Sequence, residues 1–473
     1  MIMMRRLSAA LVALTLVLIT AAYGGSGDKG DKGKAGAPGI GDRYFPTLGN
    51  GGYDVEHYTL ELSYEPGDDV LAGTATIEAE ATKALKSFNL DLAGLEVESV
   101  TVDGDEAEFE RDDAELIVTP AESLAKGGTF TTEVEYSGVP DPESDPSLGI
   151  PLGWIPLDDG SYVLSEPNGA QTWYPVNDHP SDKATYTFRI TVPDPLIAAA
   201  NGLLTEQVPG DGSTTYVWES GDPIASYLVE VAVGNFVIVE DGTAAGVPIR
   251  HVFAADLADE ATEAAAETPE MVEFFSEEWG PYPFEAYGAL VVDTPLGVAL
   301  ETQTLSLFGS DTALFAGSEA IFAHELAHQW FGDAVSPERW RDIWLNEGFA
   351  TYAEWMWKEH DGGESIAESA EDIYRGFEAS GDDTVLLDPG PDGLFGAAVY
   401  ERGGLTLYAL RVEVGDDVFT EILRTYFEKF DNQSVTTADF VDVAEDVSGK
   451  NLDELFAAWL AQAELPPFPG ASA

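Results

Sequence analysis

HELAHQWFGD, residues 324–333, places two of the chain's six histidines four positions apart with a glutamate directly after the first. On a helix, residues four apart share a face. His324 and His328 can therefore aim two imidazoles at one ion. Glu325 projects roughly 100° further round. It is too far round to be a third ligand, but it can reach a water molecule on that ion. The chain has no cysteine, so every metal ligand must be His, Asp or Glu. After an interval of eighteen residues comes Glu347, in WLNEGFATY, on the next strongly helical pattern. Two histidines and one glutamate leave a fourth position for water. That arrangement belongs to a catalytic rather than a structural zinc, one ion per chain. Glu354, seven residues after Glu347, can orient one of the ligands.

The rest of the chain sets the context. At 473 residues it is long enough for two or three domains. Hydrophobic residues make up 44% and aromatics 11%, which excludes global disorder. Lys and Arg total 22 against 86 Asp and Glu, a net charge of −64. Such a surface repels nucleic acid and anionic lipid. It keeps the protein solvated and favours cationic peptides. Residues 1–22 read as an export signal. Arg5 and Arg6 precede an apolar run, Leu7–Ala22, too short to span a bilayer. Tyr23 stands where a lipoprotein would carry its acylated cysteine, so no stable membrane anchor is expected. A secreted or extracellular protein follows, membrane-tethered only if the signal stays uncleaved. Residues 23–49 hold a short collagen-like glycine period, Gly27 to Gly39, and read as a flexible Gly-rich linker.

From Tyr53 the pattern changes to short alternating runs, beginning YDVEHYTLELSYEP. These runs, separated by Gly, Pro and Asp, predict an N-terminal β-domain over residues 50–247. Residues 248–465 predict a mainly helical domain with a small sheet, and 466–473 a tail. The segment 255–278 is helix-forming and GPYPF stops it. Ser318 is a candidate N-cap for the histidine helix. The fold class is α+β and multidomain.

HELAHQWFGD, the eighteen-residue interval and WLNEGFATY resemble the aminopeptidase N family of gluzincin metallopeptidases. YDVEHYTLEL, ANGLL, GPYPF and VYERGG extend the resemblance over about residues 53–465. It implies a saddle-like β-sandwich followed by a thermolysin-like catalytic domain. It also implies that zinc is held by His324, His328 and Glu347, with Glu325 as general base. Glu301, in VALET, takes the role of binding the free α-amine of a peptide. Val298, Leu300 and Thr302 there depart from the family pattern. Glu166, in SEPNGAQTWYPVNDHP, aligns with a second amine-binding acid, and His179 replaces the family's glutamate near the end of that stretch. Tyr400, in VYERGG, matches the tyrosine that stabilises the tetrahedral intermediate. The implied function is a secreted zinc aminopeptidase acting on peptides with a free N-terminus. The alternatives are an endopeptidase or epoxide hydrolase on the same scaffold, or a non-catalytic peptide-binding relative. The C-terminal helical domain usual in the family is expected to be absent.

Overall fold

The computed structural model of the chain describes residues 33–144 and 149–470. The expected export signal and the linker up to residue 32 lie outside the described residues. Among those described, no helix is long and apolar enough to cross a membrane.

The first half is β-structure. Its largest sheet has eight strands, with Tyr53–Glu65, Val70–Ala81, Thr129–Gly138 and Lys183–Pro193 at its centre. In Lys183–Pro193 the residues Ala184, Tyr186, Phe188, Ile190 and Val192 are buried at strict period two, while their neighbours are partly exposed. This is the pattern of a strand with one face on a core. In Tyr53–Glu65 the spacing slips once, between Val55 and Tyr58. There the register against Val70–Ala81 shifts by one residue at a bulge. A five-stranded sheet containing Pro151–Leu157, Gly160–Leu164 and Val231–Gly234 completes the face that meets the second domain.

The second domain begins earlier than the residue 248 expected. Phe236–Ala244 pairs antiparallel with Val247–Ala254 and so belongs to the same five-stranded sheet as Ala289–Val292 and Ser306–Gly309. A hairpin cannot be divided without leaving a row of unpaired backbone groups. Helices then carry the chain. The predicted helix over 255–278 is broken into Ala258–Ala264 and Thr268–Trp279, and Gly280 ends it at φ +124°. The histidine helix, Glu319–His328, is buried on every side from Phe322 onward. Ser318 supplies backbone carbonyl acceptors there but makes no side-chain cap bond. Further helices span Trp344–His360, Ile366–Ser380, Gly403–Val414, Asp416–Phe430 and Thr437–Ser448. The last is closed by Gly449 in the left-handed region.

The tail is packed as far as it is described: Tyr374 donates to the Pro466 carbonyl at 2.9 Å, and the Phe468 ring sits between Tyr374 and Tyr408. From Gly33 onward the predicted linker is a strap rather than a tether. Gly36 N–H bonds the Ser87 carbonyl, and Asp42 is buried. The Asp42 carboxylate accepts the N–H groups of Tyr44 (2.7 Å), Phe45 (3.2 Å) and, from the second domain, Trp340 (3.1 Å). His179 Nε2 lies 3.6 Å away. A glycine-rich composition suggests freedom, but three backbone donors on one carboxylate fix this turn.

Burial opposes ionisation of Asp42, but His179 and the backbone N–H groups outweigh it and hold the carboxyl down at about 2, against 3.8 ordinarily. A carboxyl depressed in the folded state contributes stability above its unfolded pKa and loses it as pH falls through the folded value. Asp42→Asn should lower the melting temperature near neutral pH by about 2–4 °C. The gap to the parent protein should close between about pH 4 and pH 2. A gap that persists through that window would show that charge on Asp42 does not hold the strap.

Candidate active site

His324 and His328 leave the same face of the histidine helix with ring centroids 4.8 Å apart. Glu347, in the first turn of Trp344–His360, comes to meet them. Its Oε2 lies 3.2 Å from His324 Nε2 and 3.4 Å from His328 Nε2. The far nitrogens are engaged as well. His324 Nδ1 faces Glu354 Oε1 at 2.7 Å, and His328 Nδ1 faces the Phe331 carbonyl at 3.2 Å. Two acceptors on the Nδ1 side place the hydrogens there and turn both Nε2 lone pairs toward Glu347. Three donor atoms thus converge within 4.8 Å of one another, and all three residues are buried.

Charge shows what belongs between them. Burial disfavours imidazolium, yet the bonds to Glu347 and Glu354 push the His324 pKa well up. His328 is raised too, against the same burial, by Glu301 and Glu347. Burial would raise Glu347, but the two histidines hold it at about 2. The cluster therefore draws positive charge to its centre. Two nitrogens and one carboxylate oxygen with an open side fit zinc.

The other predicted acids gather round this point. One donor atom each of Glu301, Glu325 and His328 lie within 4.8 Å of one another, and so do one each of Glu166, Glu301 and Glu347. Burial raises the Glu325 pKa to about 8, with the histidine charges pulling against it and Glu301 and Glu347 adding to it. Glu166 is pushed well above the usual range by burial, then by Glu301, Glu347 and Glu325. Glu166 Oε1 and Glu301 Oε1 are buried without any hydrogen-bond partner.

Glu301 is placed by both domains. Gln329, directly after His328, donates from Nε2 to the Glu301 carbonyl at 3.0 Å and accepts Thr304 N–H at 2.8 Å and the Tyr282 hydroxyl at 3.0 Å. From the β-domain, Asn201 donates to the Gln303 carbonyl at 2.6 Å, and Gly202 N–H bonds Thr304 Oγ1 at 2.8 Å. These bonds hold Thr304 at φ +67°, a conformation a β-branched residue rarely adopts. They account for the ANGLL and GPYPF stretches. Sequence reasoning missed Gln329, which caps the C-terminal end of the histidine helix and whose one signal was a polar residue just before the apolar pair Trp330 and Phe331. It missed Asn346 too, which donates to the Tyr227 hydroxyl at 3.2 Å.

Tyr400 lies on a π-helical turn, Ala398–Arg402, and its ring stacks on His324 with centroids 5.9 Å apart. A glycine contact brings it there. A Cβ on Gly348 would sit 2.8 Å from Gly403 Cα, so the Glu347 helix and the helix after Tyr400 meet backbone on backbone. Only glycine at both positions permits this. Arg402 locks the turn from behind, donating to the carbonyls of Trp459 (2.7 Å), Thr384 (3.2 Å) and Ala458 (3.2 Å). The structure therefore brings together all seven predicted site residues, with Glu354 beside them.

Comparison with known proteins agrees with this geometry. The Peptidase M1 N-terminal domain matches residues 54–228 and the Peptidase family M1 domain matches residues 263–459. Aminopeptidase M1 of Arabidopsis thaliana is 28% identical over 323 residues, covering 64% of this chain and 36% of its own length. Probable aminopeptidase 1 of Sulfurisphaera tokodaii is 26% identical over 469 residues, covering 87% of this chain and 53% of its own length. The chain thus spans about half or less of these relatives. An M1 zinc metallopeptidase from Deinococcus radiodurans superposes with a TM-score of 0.86 at 34% identity, over 92% of this chain and 100% of its own. A mutant of that protein bound to a Tyr-Ser-Ala substrate superposes at 0.85 and 35% identity. The chain belongs to peptidase family M1, whose zinc metallopeptidase fold its two domains reproduce.

Proposed function

We propose that the protein is a zinc-dependent aminopeptidase that removes N-terminal residues from peptides. The observation that carries this reading is the pair of unpartnered buried oxygens, Glu166 Oε1 and Glu301 Oε1, beside the His324–His328–Glu347 set. Buried carboxylates without donors are costly unless a cation completes them. A peptide's α-ammonium has the required charge and three N–H donors. An extended chain advances only ~3.6 Å per residue. An ammonium held at Glu166 and Glu301 therefore brings the first peptide bond, and no later one, to the metal ligands. The relatives named as aminopeptidases and the neighbour crystallised with Tyr-Ser-Ala support the same substrate class.

Zinc, when bound, acts as a Lewis acid that polarises the scissile carbonyl and makes water more acidic. Glu325, one position from His324 and within reach of the same point, takes the proton of the attacking water and returns it to the leaving amine. The Tyr400 phenol, stacked against His324, donates to the oxygen on which charge develops. Glu354 holds the His324 tautomer, and the Phe331 carbonyl that of His328. The basic, apolar and small-residue order of the N-terminal stretch supports export, and the acidic surface supports preference for cationic peptides.

Glu325→Gln should retain about one zinc per chain by metal analysis yet lose about 10²–10⁴ in kcat. Loss of the metal instead would mean that base and ligand are misassigned. Chelation should abolish activity, and added zinc should restore it. Glu301→Ala should weaken kcat/KM for free-amine amino-acid amides by about 2–4 kcal/mol, the cost of stranding one member of a buried charge pair. Residual cleavage of N-acetylated amides should be unaffected. A wild-type protein that cleaves both substrates equally, slowed equally by the substitution, would be an endopeptidase or a broader hydrolase.

A further inference from the structure

The strap over residues 42–45 touches two segments that end in the active site. Through Asp42 it bonds the N–H of Trp340, and the Phe45 ring packs edge-on against the Trp340 ring at 5.9 Å. Trp340 opens the short turn Trp340–Asp342, which runs directly into the Glu347 helix. Its ring also meets Tyr227 at 5.2 Å, and the Tyr227 hydroxyl accepts from Asn346, the neighbour of Glu347. The second contact lies in the Gly/Pro-rich loop before Tyr400. The Tyr44 hydroxyl donates to Asp388 Oδ1 at 2.6 Å and accepts the N–H of Gly390 at 3.0 Å. Arg43 adds an exposed ion pair to Asp388 at 3.2 Å.

These contacts are the loop's polar ties; its apolar hold is Leu394, buried in the core, with Phe395 packed beside it. Among the described residues, the hydrogen bonds of segment 388–397 go to its own chain neighbours or to Arg43 and Tyr44. Gly390 (φ +82°), Pro391, Gly393 and Gly396 supply no side-chain hydrogen bonds of their own. Behind Tyr400 the chain is locked by Arg402, and before residue 388 the Leu387 N–H bonds the Leu460 carbonyl. The strap is the polar restraint between those two anchors. Loosening it lets the stretch ahead of Leu394 shift and so relaxes the setting of the turn that carries Tyr400, while leaving the metal ligands on their rigid helices.

We propose that Tyr44 is a positioning residue for the reaction, its hydroxyl fixing the 388–390 loop so that Tyr400 stays stacked over His324. This rests on the reading of Tyr400 as the oxyanion donor. Tyr44→Phe keeps the ring and removes both hydrogen bonds, so the fold is retained. In the zinc-loaded full chain, kcat on an amino-acid amide should fall about five- to twentyfold, a fraction of the 10²–10³ that losing an oxyanion donor outright costs. KM and zinc content should stay unchanged. In a Tyr400→Phe background, the same substitution should change kcat by less than about twofold, because a residue acting through Tyr400 has nothing left to act on. Hydrogen exchange, which needs no activity, should speed up at residues 388–402 in Tyr44→Phe and nowhere in the histidine helix. Additive losses in the double variant, or unchanged exchange over 388–402, would overturn the proposal. If Tyr400→Phe is itself fully active, the assignment of Tyr400 fails instead, and the exchange result alone decides whether the strap restrains the loop.

Discussion

Four carboxylates, Glu166, Glu301, Glu325 and Glu347, are buried together beside two histidines, and the fold is arranged round the cost of that choice. Like charges at such distances in a dry site cannot all ionise unaided. The pKa directions express this. Glu166, Glu301 and Glu325 are pushed up, and only Glu347, between the two imidazoles, is held down. Two positive groups at defined points relieve the strain. One is the metal at the convergence of His324, His328 and Glu347. The other falls at the unpartnered oxygens of Glu166 and Glu301, where the proposed function puts a substrate ammonium. The site is therefore unsatisfied as protein alone and calls for positive charge at both points.

Such a cluster has to be held by rigid elements, because relaxation would let water in and dissipate the effect. The Gly348–Gly403 contact is one device, bringing two helices to backbone contact within a few residues of Glu347 and Tyr400. The Gln329–Asn201 grip on residues 301–304 is another, and it crosses between the domains. Arg402 is a third, fully buried among backbone carbonyls.

What was legible in the sequence follows from how local each determinant is. His324, Glu325 and His328 were readable because helix geometry alone relates them. Glu354 was readable for the same reason, two helical turns beyond Glu347 on the same face. The strict alternation of Lys183–Pro193 announced its strand, and the bulge at Val55 blurred its partner only slightly. Glu166 and Glu301 come from different domains, and no period connects them. They were found through resemblance to a family rather than through pattern. The strap was misread because glycine spacing before residue 42 masked a turn that only the distant Trp340 and His179 complete. The domain boundary was misplaced because Phe236–Ala244 follows directly on the β-domain strands and reads as one more of them, and only its pairing partner assigns it.

The division of labour between the domains bears on what kind of peptidase this is. On the proposed function, the helical domain alone holds the metal set, the base and the phenol, which is enough for hydrolysis of an amide. It does not measure the distance from an N-terminus. That measurement needs Glu166, which the β-domain supplies from the turn after Gly160–Leu164. It also needs Glu301, whose segment the β-domain grips through Asn201 and Gly202. On the proposed function, exopeptidase character is a property of the seam between the domains. A shift of one domain against the other by a few ångströms would leave the chemistry intact and move the ammonium site off register. The many bonds across the seam, from Asp42 to Trp340, Asn201 to Gln303 and Lys183 to the Asp333 carbonyl, are best understood as holding that register.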